Sequence, residues 1–226
     1  GLAAGGRPAA TDIPAPEAAT DYTPQAAAAL AGATDGSCVG AALGNHTITF
    51  FDSFRRLRTG GPTVRIASVL GSVDQSLVDS TGGASSPLEG AYATGWYPAA
   101  DDPRWAPMRR VIDRHAFGDN RIAPTDPGVQ TTWIACTVLR SVLKSLDPDD
   151  ISAATVRQAL DGGHTVDTGG LTPRLGWRPS VLLGVRATPR VVNANVTYQV
   201  VRDGRLVALK NGFTDVTRTL KESRRG

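Results

Sequence analysis

The chain has 226 residues and a mass of 23.6 kDa, with 24 Lys plus Arg against 21 Asp plus Glu, a formal net charge of +3. Apolar residues make up 41%, enough for a real core, and no run of about 18 apolar residues exists to span a membrane. Two cysteines and three dispersed histidines exclude a disulfide-dense scaffold and a multi-Cys or His-based metal module.

The positive charge does not point to nucleic acid. Of the 24 cations 21 are Arg, and the densest clusters (Arg55, Arg56, Arg58 and Arg218, Lys221, Arg224, Arg225) lack the interleaved aromatics of a nucleic-acid surface. They read as a solvated face and a frayed end. Residues 1–10 hold one Arg and no apolar core, so they do not read as a signal peptide.

In chain order, a short strand is expected around Ala10–Pro14, then a loop. Thr23-Pro24 starts a helix, with Thr as N-cap and Pro at the first helical position, and Gly32 ends it. Cys38–Leu43 is a short apolar run between glycines and reads as a buried parallel strand. Thr47–Arg58 follows as an amphipathic helix with Ile48, Phe51, Phe54 and Leu57 spaced by three, ended by Gly60-Gly61-Pro62. Val64–Val69 is the next strand, Asp74–Asp79 a short helix, and Gly90–Tyr97 a strand.

The second half opens at Asp101-Asp102-Pro103, an N-cap with Pro just inside, and Trp105, Met108, Val111 and Ile112 carry one helical face. Val129–Leu146 is the longest helix, with Trp133, Cys136, Leu139 and Leu143 on one side. Another helix runs from Asp149-Asp150 through Val156 and Leu160 to Gly162. Residues 163–180 form a loop with room for a short hairpin. Val191–Val201 and Leu206–Leu209 then alternate about Asp203-Gly204, a strong hairpin turn. Cys38 and Cys136 lie in apolar surroundings and read as buried free thiols.

Alternation of strand and helix at this spacing means an α/β fold: an open, mainly parallel, Rossmann-like sheet with extra helices and a C-terminal β-hairpin. Ligands of such sheets bind beyond the carboxyl ends of the strands. That rule selects the loops Gly44–Thr47 and Val69–Val73.

Several motifs share their order with one family. Asp21-Tyr22-Thr23-Pro24-Gln25, the run Val39–Gly44, the helix end Phe54–Gly61, Pro87-Leu88-Glu89-Gly90-Ala91-Tyr92, Gly169-Gly170-Leu171-Thr172 and Val192-Asn193 with its hairpin all match its landmarks. Over about residues 10–210 the chain resembles the branched-chain amino-acid (leucine-binding-like, type I) solute-binding proteins of ABC importers. The resemblance implies two α/β lobes joined by three crossing segments, with the ligand in the cleft between them. It assigns residues 10–97 to the second lobe, 98–180 to helices of the first, and 181–220 to strands returning to the second. Trp96 and Tyr97 then sit where the chain crosses between lobes, and both are expected to pack at the hinge. The opening strands of the first lobe have no counterpart here.

The resemblance also implies site residues. Asn45 and His46 stand where an aromatic follows the first strand of this lobe. The next strand ends at Ser68 and Val69, and Leu70, before Gly71, occupies the position of an acid that pairs with a ligand ammonium. Ser72 follows with a hydroxyl. Without that carboxylate an ammonium forgoes a charge-assisted partner of roughly 1.5–3 kcal/mol. The implied ligand is a small polar molecule, an amino acid or related amide or acid. The implied partners are ABC permease subunits, with no cofactor, metal, catalytic residue or nucleic acid. The implied location is extracytoplasmic, periplasmic or as a cell-surface lipoprotein.

Two other functions share this fold class. One is the ligand-sensing domain of a regulator. The other is an enzyme, with Asp101-Asp102 and His115 as acid–base groups and Ser85 or Ser86 as nucleophile. Nothing in the sequence places these on one strand edge, and the Ser, P-loop, zincin and dinucleotide motifs are absent.

Overall fold

The computed structural model describes Gly6 and residues 10–58, 60–61, 63–69, 73–184 and 191–222. Residues 10–14 carry no regular structure, so the strand expected there does not form. The first helix, α1 (Thr23–Ala31), starts with Pro24 in its first turn. Its cap differs from the expected one. The Asp21 carboxylate accepts both the Thr23 N–H, at 3.2 Å, and the Thr23 hydroxyl, at 2.8 Å.

The first strand, β1, is only Cys38–Val39. Past Val39 the chain still runs close to its neighbour: a Cβ added at Gly40 would lie 2.8 Å from the Ala67 carbonyl oxygen. A 3-10 turn, Gly44–His46, leads into α2 (Thr47–Leu57). Phe50, Phe51 and Phe54 of α2 are buried, and Phe50 and Phe51 meet edge to face at 5.2 Å. Leu57, expected on the inner stripe, is 39% exposed. Then come β2 (Arg65–Val69), α3 (Gln75–Ser80) and β3 (Tyr92–Gly95). Asp74 caps α3 by accepting the Leu77 N–H at 2.8 Å.

The second half opens with a 3-10 turn, Pro103–Trp105, capped by Asp102, and continues as α4 (Ala106–His115). The long helix α5 (Pro127–Leu143) begins at an Asp126 cap, and α6 (Ala153–Asp161) at a Ser152–Thr155 capping box. A small hairpin pairs β4 (Thr165–Val166) with β5 (Leu175–Gly176). The chain closes with β6 (Asn195–Arg202), β7 (Arg205–Ala208), β8 (Thr214–Asp215) and α7 (Thr217–Glu222). Asp203 and Gly204 join β6 to β7 with φ of 52° and 71°, the paired positive angles that a two-residue hairpin turn needs.

The main sheet runs β1-β2-β3-β6-β7, with β8 also on β6. Strands β1, β2 and β3 are parallel, while β6 and β7 are antiparallel. This is the open α/β sheet with extra helices and a terminal hairpin that the sequence predicts.

Two separate cores hold the chain. The first packs Tyr22, Phe51, Phe54, Val78, Leu88 and Val201 around the sheet. The second packs Trp105, Met108, Ile134, Leu171 and Leu175 among α4, α5 and the small hairpin. Each large side chain so buried contributes about 1.5–3 kcal/mol.

Two expectations fail. Cys38 and Cys136 are both exposed, because β1 lies at the sheet's edge and Cys136 is on the outward side of α5. The buried face of α5 is Gln130, Ile134 and Val142, not the Cys136–Leu139 side, and Leu139 is 46% exposed. Apolar residues surround α5, so their spacing alone does not choose the inner face. Buried Gln130 is satisfied by the Pro124 carbonyl at 3.2 Å.

Candidate functional site

Parallel pairing puts the carboxyl ends of β1, β2 and β3 on one edge of the sheet. Val39 registers with Ile66, and Val69 with Thr94. The loop after β1 is drawn onto the end of β2 by Ser68, whose hydroxyl donates to the Ala41 carbonyl at 3.2 Å. That loop closes on itself: the His46 N–H donates to Leu43 O at 3.0 Å, and Leu43 N–H to the Thr47 hydroxyl at 3.1 Å. His46 is half-buried at the end of the 3-10 turn. The structure thus brings the His46 loop and Ser68 to the same edge. Leu70, Gly71 and Ser72 lie outside the described residues, as do the side chains of Asn45 and Val69.

The same edge carries an aromatic residue that does not pack as the hinge position predicts. Trp96 stands two residues beyond Thr94 and is 56% exposed. Its neighbour Tyr97 does pack. The Tyr97 ring meets Trp105 edge-on at 6.1 Å, and its hydroxyl lies 3.0 Å from that of Thr131. The Tyr97 carbonyl accepts from the Thr197 hydroxyl at 2.6 Å and from Gln199 Nε2 at 3.1 Å. A strand followed by Gly-Trp-Tyr-Pro at its carboxyl end marks the pair Trp96-Tyr97 in the sequence, without saying which of the two is exposed.

Beyond Tyr97 the segment leading into the Pro103–Trp105 turn is clamped. Trp105 Nε1–H donates to Pro98 O at 3.3 Å, and Arg109 donates to Ala100 O at 3.0 Å and Asp102 O at 3.3 Å. Arg104 grips the Asp102 carboxylate with Nε and Nη2 at 2.8 and 2.7 Å, and donates Nη1 to Gly170 O at 2.7 Å. Those hydrogen bonds hold the Asp102 carboxyl below its ordinary range, and the same contact raises Arg104. A cavity of about 250 Å³ lies beside this segment, lined by Pro98, Asp102, Arg104, Gln199, Lys210 and Phe213 among others.

The residues of the enzyme reading are otherwise engaged or apart. Asp102 is ion-paired to Arg104. The Ser86 hydroxyl lies 2.6 Å from that of Thr81 and accepts the Leu88 N–H. His115 is exposed at the end of α4. Among the described residues no cluster of three or more His, Cys, Asp or Glu is placed to hold a metal, and no helix is long and apolar enough to cross a membrane.

No protein-family model matches the sequence, and no curated protein matches it. Solved structures do. A branched-chain amino-acid ABC transporter protein from Thermus thermophilus with bound valine matches with a TM-score of 0.61 at 14% identity, over 87% of this chain and 49% of that one. A solute-binding protein from R. palustris in complex with 4-hydroxybenzoate matches at 0.57 and 16% identity, over 90% of this chain and 51% of that one. A further one, from Rhodopseudomonas palustris HaA2 with p-hydroxybenzoic acid, matches at 0.55 and 18%, over 88% and 50%. The chain therefore spans about half the length of these structures, and at these identities it shares with the ABC-transporter solute-binding proteins their fold.

Proposed function

We propose that this chain forms one jaw, with part of the other, of a receptor that captures a small polar solute between two lobes and delivers it to an ABC permease. The solute is an amino acid or a related amide or acid, and it leaves unaltered. In this reading residues 10–97 and 181–220 belong to the second lobe and 98–180 to helices of the first. The separation of the two cores supports that division. Asn45, His46, Ser68, Val69, Leu70 and Gly71 line the cleft at the carboxyl edge of the sheet. The setting is extracytoplasmic.

The observation that carries the reading is the fold itself. Some nine-tenths of the chain superposes on half of proteins solved with valine or hydroxybenzoate, and a slightly smaller share on one solved with benzoate. Cleft closure about a clamped crossing segment is the motion such a fold supports. The test is thermal unfolding of the chain with valine, other amino acids, their amides, benzoate and 4-hydroxybenzoate. A true ligand at about 100 times its dissociation constant adds about 2.7 kcal/mol and raises Tm with concentration. A melting curve indifferent to the whole panel overturns the reading.

A further inference from the structure

We propose that the cavity of about 250 Å³ beside the Pro98–Arg104 segment is a binding site for a phosphomonoester of a small polyol. It lies on β6 and β7, across the sheet from β1 and β2, so it is separate from the cleft of the receptor reading and gives the chain a second ligand.

Three observations carry it. The first is an acceptor left without a donor. Gln199 is only 2% exposed. Its Nε2 donates to the Tyr97 carbonyl at 3.1 Å and lies 3.4 Å from Thr197 Oγ1. The Tyr97 carbonyl can only accept, and it also takes the Thr197 hydroxyl at 2.6 Å. The Gln199 atom facing it is therefore the amide nitrogen, and both its N–H groups have acceptors. Gln199 Oε1 accepts from no described residue. Among the described residues no sealed side-chain nitrogen or oxygen lacks a partner, so Oε1 opens onto free space, and the space that Gln199 lines is this cavity. A desolvated acceptor favours an occupant that brings a donor.

The second is a wall of unused donors. The loop Lys210–Phe213 closes one side of the cavity. The Lys210 ammonium makes no ion pair or hydrogen bond, and the backbone N–H groups of Asn211, Gly212 and Phe213 meet no acceptor among the described residues. Asp102, the one acid of the lining, is gripped by Arg104 Nε and Nη2 at 2.8 and 2.7 Å, so the charge of Lys210 is left over. Donors in this number suit an anion with several acceptor oxygens, and a phosphate group has three.

The third is size. A cavity of about 150 Å³ holds the six carbons of benzene, so about 250 Å³ takes roughly ten non-hydrogen atoms, the size of glycerol phosphate. The phosphate meets Lys210 and its loop, and a hydroxyl donates to Gln199 Oε1. Pro98 and the half-buried Phe213 give the carbon chain apolar sides.

The test uses the 226-residue chain, labelled with ¹⁵N in a buffer without phosphate. The side-chain amide signal of Gln199 is assigned by triple-resonance spectroscopy. Glycerol 3-phosphate, inorganic phosphate, glycerol and glycerate are titrated into the millimolar range. Glycerol 3-phosphate is expected to shift the Gln199 signal saturably. Phosphate lacks the polyol and glycerol lacks the charge, and each is expected to bind at least fivefold more weakly. Glycerate, with two anionic oxygens in place of three, is expected to bind at least threefold more weakly. Lys210 is exposed, so K210Q leaves the fold intact, and it is expected to weaken glycerol 3-phosphate at least fivefold. If glycerol 3-phosphate binds while the Gln199 signal stays still, or K210Q keeps full affinity, the site is wrong. If inorganic phosphate binds as tightly, the hydroxyl bond to Gln199 is wrong, and if glycerate binds more tightly, the choice of phosphate is wrong. If none of the four binds, the cavity holds only water and the proposal falls. The receptor reading is decided separately by the melting panel, which shares no compound with this series.

Discussion

Glu89 and Gly204 lie 115 residues apart in the chain and meet at the hairpin turn. Glu89 Oε2 accepts the Gly204 N–H at 3.1 Å, and Oε1 accepts the neighbouring Asp203 N–H at 2.8 Å. One carboxylate therefore holds both left-handed residues of the turn and ties the terminal hairpin to the start of β3. Replacing it with Ala removes two charge-assisted bonds at an exposed site, where such bonds are worth least. The expected cost of Glu89→Ala is about 1–2 kcal/mol, read from the urea midpoint. Glu89→Gln retains an acceptor for one N–H and should fall between wild type and Ala.

Gly204 itself is fixed by sterics. A Cβ there would collide with the backbone of Gly83 and Ala84, which cannot swing aside as a long side chain can. Gly212 has a similar φ of +78°, but a methyl group added there would meet nothing within 4 Å. The two glycines thus separate strain from collision. Gly212→Ala should cost about 1 kcal/mol, the ordinary penalty of a left-handed L-residue. Gly204→Ala should cost at least ~2 kcal/mol more, or fail to fold. Equal denaturation midpoints for the two variants would remove the collision from the account.

The grip of Arg104 on Asp102 gives a pH signature. Hydrogen bonds from Arg104 hold the Asp102 carboxyl below its unfolded value, against partial burial. A depressed folded pKa stabilises the native state above the unfolded pKa of about 4, and that stabilisation is lost as pH falls through the folded value. Asp102→Asn should therefore destabilise the chain at pH 7, and the gap between variant and wild type should narrow steadily below pH 4. Urea unfolding at pH 7, 5, 4 and 3 measures it. A gap that stays constant with pH would mean that the carboxylate charge plays no part.

Much of this architecture is legible in the sequence because it is written in local chemistry. Asp203-Gly204 demands positive φ and so announces the hairpin, and Asp74, Asp102 and Asp126 each accept a backbone N–H where a helix or helical turn begins. What is not legible depends on distant contacts. The run Cys38–Leu43 looks like a six-residue strand, yet only its first two residues pair, a length the apolar pattern does not set. The inner face of α5 escapes the pattern because Trp133, Ile134, Val138, Leu139, Val142 and Leu143 surround the helix, and only packing against α4 and the small hairpin selects Ile134. Of the candidate site, the edge is readable from the rule for parallel sheets, and Ser68 and His46 do lie there. Trp96 is indistinguishable from Tyr97 by sequence, since nothing in adjacent aromatic residues says which of the two turns to water.

The cysteines give the sharpest contrast between pattern and packing. Apolar neighbours make both look buried, yet Cys38 lies on the edge strand and Cys136 on the open side of α5. Thiol reactivity depends on access and on the thiolate fraction. Both should react with Ellman's reagent in the native protein without denaturant. Partial burial raises the Cys38 thiol above its ordinary value, only partly offset by the charge of Arg65 across the β1–β2 pair. The Cys38 reaction should therefore be slow near neutral pH and speed up steeply as pH rises. Single variants Cys38→Ser and Cys136→Ser assign the two phases. If native protein resists the reagent until urea is added, both thiols are buried, and the edge position of β1 and the outward face of α5 are wrong together.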